Sequence, residues 1–250
     1  MERRFLIVLV LICFLITESV AFAITPKEII DKITDRTKEI KDSYVDIRMS
    51  MSVTGMSSGS TQTTKLTYRL KIESITNPTV VRITYLEPDT FKGTVMLIDS
   101  EKKLLSTYSP VTNQVVQSKI EQSQSTTSNI DITNPTSIFT DLEKTYDLTV
   151  EEKKLDKKDV YVLTATLKQN QKGDFGKGVF YLDKSSLNPL RIELFDTKGQ
   201  HIGTIDILDI KYNIGLKVAS LRSFPKDAKI IKGGTIQGAP GFPFGSQSGK

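Results

Sequence analysis

The sequence predicts a mainly β protein, a single antiparallel sheet of about eleven strands that curls on itself around an apolar hollow. Three observations lead there. Long segments alternate with period two, as in Val45, Ile47, Met49 and Met51 against Asp46, Arg48 and Ser50, so each strand has one wet and one buried face. Turn chemistry recurs at short intervals: Glu87-Pro88-Asp89, Ser100-Glu101-Lys102-Lys103, Ser109-Pro110 and Asn188-Pro189. Pro fixes φ there, and Asp, Asn or Ser bonds nearby backbone. Helical periodicity is confined to two segments, too little to cover so many strands, and closing the sheet on itself solves that problem.

The chain opens with Glu2-Arg3-Arg4, an unbroken apolar run from Phe5 to Ile16, and the small-x-small site Ala21-Phe22-Ala23. This is the pattern of a cleaved export signal over residues 1–23. The apolar run is too short for a spanning helix, which needs about 20 residues. The only cysteine, Cys13, lies inside it behind the bulky Ile12, which argues against lipid attachment, and the exported chain has neither a disulfide framework nor a thiolate metal site. Residues 24–232 are expected to form one domain, a length all-β barrels often reach alone. Residues 233–250, with six Gly, two Pro and no acidic residue, read as a flexible tail.

Thr25-Pro26-Lys27-Glu28 starts a helix: Thr25 caps, Pro26 suits the first turn and Glu28 completes a capping box. Ile29, Ile33 and Ile40 follow at helical spacing to about Lys41, making the helix amphipathic. Two long strands come next. Val45 to Val53 is the first; in the second, Leu66, Tyr68, Leu70 and Ile72 alternate with Lys65, Thr67, Arg69, Lys71 and Glu73. The loop Gly55 to Ser60 is expected between them. Strands Val95–Ile98 and Leu104–Tyr108 form a meander with the segment holding Ile83 and Tyr85. Residues 121–137 are Ser/Thr/Gln/Asn-rich without periodicity, a long functional or disordered loop. A short helix from Thr136 to about Glu143 carries Ile138, Phe139 and Leu142 as its apolar stripe. Strands resume at Tyr146, Tyr161, Phe180, Leu190 and Ile202, and Val218–Phe224 is expected to close the set. Asp196-Thr197-Lys198-Gly199 is a hairpin turn with Gly at the left-handed position.

Catalytic chemistry is not apparent. The lone histidine, His201, sits just after a turn with no nucleophile or carboxylate to complete a triad. Asp206 and Asp209, three apart on a strand, are expected to face opposite sides. Glu151-Glu152-Lys153-Lys154 reads as a solvated charge run. No phosphate-cradling glycine loop occurs. The net charge of +5 is spread without aromatic interleaving, which argues against nucleic acid, though it suits weak attraction to anionic lipid head groups. No enzyme activity, cofactor or metal is implied.

The order Tyr85-Leu86-Glu87-Pro88, Phe91-Lys92-Gly93-Thr94, Met96-Leu97-Ile98, Leu105, Tyr108-Ser109-Pro110 resembles the LolA-like outer-membrane lipoprotein-sorting family, and the resemblance extends from Ile24 to about Ile231. It implies a half-open antiparallel β-barrel, LolA/LolB-like, wrapped around an apolar cavity with a few covering helices. It also implies a periplasmic or envelope carrier, monomeric, that moves lipid or lipoprotein acyl chains toward the outer membrane. A membrane transporter and an outer-membrane acceptor would then be its partners. Asn77-Pro78 stands where the resembling carriers have Arg-Pro, so their lid latch is not carried over. The alternative is a non-transporting envelope sensor or protein-interaction module on the same fold.

The candidate cavity lining is Val45, Ile47, Met49 and Met51 on the first strand, and Leu66, Tyr68, Leu70 and Ile72 on the second. Ile83, Tyr85, Met96 and Ile98 complete it, the methionines making the surface adaptable. Ile29, Ile33, Ile138, Phe139 and Leu142 are the candidate lid. The solvation cost gives such a hollow a purpose: at about 0.8 kcal/mol per methylene, a sixteen-carbon chain costs roughly 12 kcal/mol to hold in water. On this scheme Leu70→Asp puts a charge into the hollow, whereas Arg69→Asp, on the wet face, is expected to change little.

Overall fold

The computed structural model describes residues 24–57, 60–120, 139, 142–173 and 175–233. The expected export signal lies outside these residues, as do Ile138, the whole of the 121–137 segment and, apart from Gly233, the expected tail. Among the described residues no helix is long and apolar enough to cross a membrane.

The first helix, α1 (Pro26–Lys38), has the predicted capping box: Thr25 Oγ1 accepts from Glu28 N while a Glu28 carboxylate oxygen accepts from Thr25 N. It stops three residues short of the expected Lys41. The reason is that the next backbone groups are committed to the sheet. Lys41 N donates to the Asn213 side chain at 2.7 Å, and Lys41 O accepts from Thr76 N at 3.0 Å.

Twelve strands follow among the described residues: β1 (Asp42–Ser57), β2 (Ser60–Thr76), β3 (Thr79–Glu87), β4 (Val95–Asp99), β5 (Leu104–Ser109), β6 (Gln114–Lys119), β7 (Tyr146–Leu155), β8 (Lys158–Leu167), β9 (Lys177–Asp183), β10 (Pro189–Phe195), β11 (His201–Tyr212) and β12 (Lys229–Lys232). All belong to one sheet in the order β12-β6-β5-β4-β3-β2-β1-β11-β10-β9-β8-β7. Each pairing is antiparallel except β12 with β6. The sheet is open, with β7 and β12 at its edges, and the chain's two halves are joined by β1 lying against β11. The short α2 (Leu142–Thr145) precedes β7, and α3 (Val218–Leu221) lies between β11 and β12. The architecture is therefore mainly β with few helices, as expected.

Three local expectations are corrected. The segment read as a loop, Gly55 to Ser60, is mostly ladder, with Gly55 opposite Gln62 and Ser57 opposite Ser60. The partner strand supplies what the Ser/Thr/Gly text lacks, a cross-strand neighbour for each residue. Val218–Phe224 is a short helix and strap rather than a strand. Leu221 and Val218 are three apart, a helical spacing, and pack with Leu216 and Phe224 on the outer side of Ile75, Val80 and Leu97. Arg82 bonds the carbonyls of Leu221 and Ser223, and Arg222 pairs with Asp99 at 2.7 Å, fixing the strap in place. Finally, Asp206 and Asp209 do not face opposite sides. The register shifts between Asp46 and Ile47, so Asp46 faces Asp209 while Ile47 faces Ile207. Such a bulge puts two residues against one, turning both aspartates outward and leaving Leu208 exposed. Each is occupied by a cation, Asp206 by Arg191 and Asp209 by Lys211, both at 2.6 Å.

Candidate functional site

Register fixes which residues share the inner face. Val45, Ile47, Met49 and Met51 of β1 stand directly opposite Ile72, Leu70, Tyr68 and Leu66 of β2. Leu70 and Ile72 face Tyr85 and Ile83 of β3, and Ile83 faces Met96 of β4. Ile98 faces Leu105 of β5. On the other side, Val45, Ile47 and Met49 face Ile210, Ile207 and Ile205 of β11. One apolar surface thus crosses five consecutive strands, β11, β1, β2, β3 and β4, and none of these paired side chains is charged.

Packing divides that surface into two regions. Val45, Ile47, Met49, Leu70, Ile72, Ile83, Tyr85 and Met96 form one buried cluster with Val81, and Met51, Tyr68, Phe91 and Ile98 pack against it. Among the described residues no helix contributes to this cluster; its members come from β1 to β4, and residues of β5, β11 and the β3–β4 connection pack against them. Leu66 shares the face by register but is 39 % exposed, at the rim. The candidate lid residues Ile29, Ile33, Phe139 and Leu142 do come together. They sit in the second cluster, with Leu163, Phe180, Leu182, Ile192 and Leu194 of β8 to β10. So α1 covers the half of the sheet built from the later strands, not the half that carries the candidate lining. Ile205 and Ile207 pack against both clusters and join them.

Aromatic rings pack together in both regions. Tyr68, Tyr85 and Phe91 form a triangle with centroids 6.1–6.2 Å apart where β2, β3 and the β3–β4 connection meet. Tyr85 Oη donates to Met96 Sδ at 3.6 Å, and burial, with a smaller contribution from Tyr68, pushes its phenol up to about 12. Tyr85 is therefore a neutral donor at any physiological pH, an inner-wall residue rather than an acid or base. Under α1, Phe139 packs on Phe180 at 5.2 Å and Phe175 stacks on Tyr146 at 4.4 Å. Gly178 makes this contact feasible, because a Cβ there would stand 2.9 Å from ring carbons of both Phe175 and Phe180.

The outer face is where the charges sit, and one expectation fails there. Arg69 points outward but is not idle: it grips Asp46 through two bonds of 2.8 and 3.1 Å, and Asp46 is only 6 % exposed. Arg69→Asp would set two carboxylates against each other. His201 is exposed at the start of β11, bonded to Thr204 and edge-on to Phe195. Among the described residues no group of three His, Cys, Asp or Glu is arranged to hold a metal ion.

The candidate lining omitted half of the inner face. Val81, Phe91, Leu163, Phe180, Ile192, Ile205 and Ile207 belong to it. The signal for the later strands was the same period-two alternation; what it lacked was any indication that β11 adjoins β1.

Solved structures similar to the chain include an uncharacterized conserved protein from Thermus thermophilus, 19 % identical with a TM-score of 0.51, the match covering 81 % of this chain and 98 % of that one. The two share a fold. Also similar are the LolA superfamily protein NE2245 from Nitrosomonas europaea (15 % identity, TM-score 0.37, 80 % and 99 % covered) and the Pseudomonas aeruginosa MucA/MucB complex (14 %, 0.43, 78 % and 61 %). No curated protein matches. The family model described as "Uncharacterized protein" matches residues 79–226, more than half of the chain, and the protein belongs to that family.

Proposed function

We propose that the protein is an envelope carrier that takes up acyl chains, free or as part of a lipid or lipoprotein, on the inner face of β1–β4 and β11 and moves them toward the outer membrane. The observation that carries this reading is the uncharged apolar surface running from Ile205 through Met49, Leu70 and Ile83 to Met96 with no described helix packed on it. Methionines and a triangle of rings along it suit a ligand of variable shape, because thioethers and aromatic edges repack at little cost. The lining is the set given above from Val45 to Ile98, and α1 with Phe139 and Leu142 supports the adjoining half. Export over residues 1–23 and a single domain over 24–232 belong to the same reading, as does a monomeric carrier.

Native mass spectrometry of protein purified from a membrane-containing host tests it. Acyl-bearing adducts are expected, together with uptake of a fluorescent fatty acid in vitro. A consistently empty protein that takes up no fatty acid overturns the reading. A second use of the fold is favoured by one observation: β1 beyond Met51 and β2 before Tyr68 pair only with each other, so a two-stranded ribbon projects past the sheet. Its unpaired edges offer backbone groups to a protein partner. Stoichiometric co-purification of one protein without lipid, abolished by shortening the ribbon, would favour an interaction module.

A further inference from the structure

At one end the inner face turns polar, and it does so underneath the C-terminal turn of α1. Following the register past Val45 and Ile210, the next inner-face pair is Ser43 opposite Tyr212. Beyond it Ser43 Oγ and Ser74 Oγ share a buried hydrogen bond of 2.7 Å. Over the Tyr212 ring lies the Arg36 guanidinium, its carbon 5.4 Å from the centroid. Arg36 Nη1 donates to Ser186 O in the β9–β10 turn. Its other two nitrogens, Nε and Nη2, are buried and bond nothing, and Tyr212 Oη is buried with no partner either. Asn188 Oδ1, two residues beyond Ser186, is in the same condition; rotating that amide turns the acceptor into a donor.

Buried polar groups are expensive to leave unmade, and a guanidinium doubly so. Here the unsatisfied groups are not scattered. A cation with two unbonded N–H-bearing nitrogens and a phenol with a free O–H share one contact, at the end of a surface that is otherwise apolar. The Ser43–Ser74 pair adjoins them across the ladder. Two N–H donors of one guanidinium match the two oxygens of a carboxylate, and a hydroxyl beside them adds a third donor.

We infer that this pole receives the anionic head of a single-chain amphiphile, a fatty-acid carboxylate, whose tail lies along the apolar rows toward Met49 and Leu70. The inference rests on the acyl-carrier reading and narrows it. The ligand enters head first, with Arg36 and Tyr212 as binding residues, and a chain esterified to a bulky head has no place for that head at this end.

The test compares palmitate with methyl palmitate, which differ only in the charge of the head, by displacement of a fluorescent alkyl probe. The wild-type protein is expected to prefer palmitate by roughly tenfold or more, the range of a hydrogen bond to a charged group. Arg36→Gln should collapse the ratio toward one, Arg36→Lys should restore part of it, and Tyr212→Phe should lower it several-fold. Arg48→Gln, an exposed outer-face control, should leave the ratio unchanged. Thermal denaturation of each variant identifies any that fail to fold, and the Arg36→Lys comparison then carries the result. Equal binding of the two ligands by wild-type protein overturns the inference, with water filling the pole, yet leaves the carrier reading standing. Binding of neither ligand nor probe overturns both.

Discussion

Asp46 and Asp99 are the two carboxylates buried deepest among the described residues, and each is held by one arginine. Asp46 is gripped by Arg69, which is itself partly exposed. Removing the guanidinium in Arg69→Ala leaves the Asp46 charge unmatched and should lower the urea midpoint; an unchanged midpoint would show that water replaces Arg69. Asp99, 2 % exposed, accepts from Arg222 at 2.7 and 2.9 Å and from Lys102 N at 3.1 Å. Burial pushes its carboxyl up, but the Arg222 bonds and the Lys102 N–H outweigh burial and hold it below the usual value. A carboxyl depressed in the folded state stabilises fully above its unfolded pKa, and that stability is lost as pH falls through the folded value. Arg222→Gln should therefore be destabilising at pH 7, with the gap to wild type closing below about pH 4. A gap that stays constant from pH 7 to pH 2 would assign the loss to packing of the strap rather than to charge.

Elements were legible where their cause is local. The capping box of α1 can be read from Thr25-Pro26-Lys27-Glu28 alone, because every partner lies within three residues. Thr25→Ala should cost about 1 kcal/mol, visible as a lowered thermal midpoint and as faster amide exchange in the first turn of α1 only. The turn at Asp196–Gly199 is equally local: Asp196 Oδ1 accepts from Lys198 N and Gln200 N at 2.8 Å, and Gly199 takes φ +79°. The strap from Leu216 to Phe224 was not legible. Its apolar residues seal the outer side of Val80 and Leu97, and a sheet's outer face being covered by a distant segment leaves no mark in that segment's own period. The charge run Glu151–Lys154 was legible as solvated, though not as the end of an edge strand, where charges such as the Lys153–Glu151 pair at 2.6 Å discourage further pairing.

For the molecule as a whole, period two tells which residues of a strand share a face but not which strands are neighbours. The rows from β1 to β4 could be assembled from sequence because those strands follow one another through hairpins. The neighbour of β1 on its other side is β11, far along the chain, and so the helix-covered half of the inner face was missed. The structure divides into two packing clusters the lining and lid residues that were expected around one hollow. Ile33, 1 % exposed, lies beneath α1 in the cluster with Phe180 and Leu163; Met49, equally buried, lies in the cluster that no described helix enters. If only the second region holds cargo, the two should respond oppositely to substitution. Ile33→Ala removes packed methyl groups and should cost about 2–5 kcal/mol, while the folded fraction keeps its acyl affinity within a few-fold. Met49→Phe fills space without adding charge. In a ligand-holding hollow it should fold with less than about 1.5 kcal/mol of change and lose acyl affinity at least tenfold, whereas in a solid core it would overpack and cost about 1–3 kcal/mol. Parallel denaturation and displacement titrations of the two variants separate these cases. A destabilised Met49→Phe with wild-type affinity would mean that β1–β4 enclose a packed core, and that any cargo is carried elsewhere.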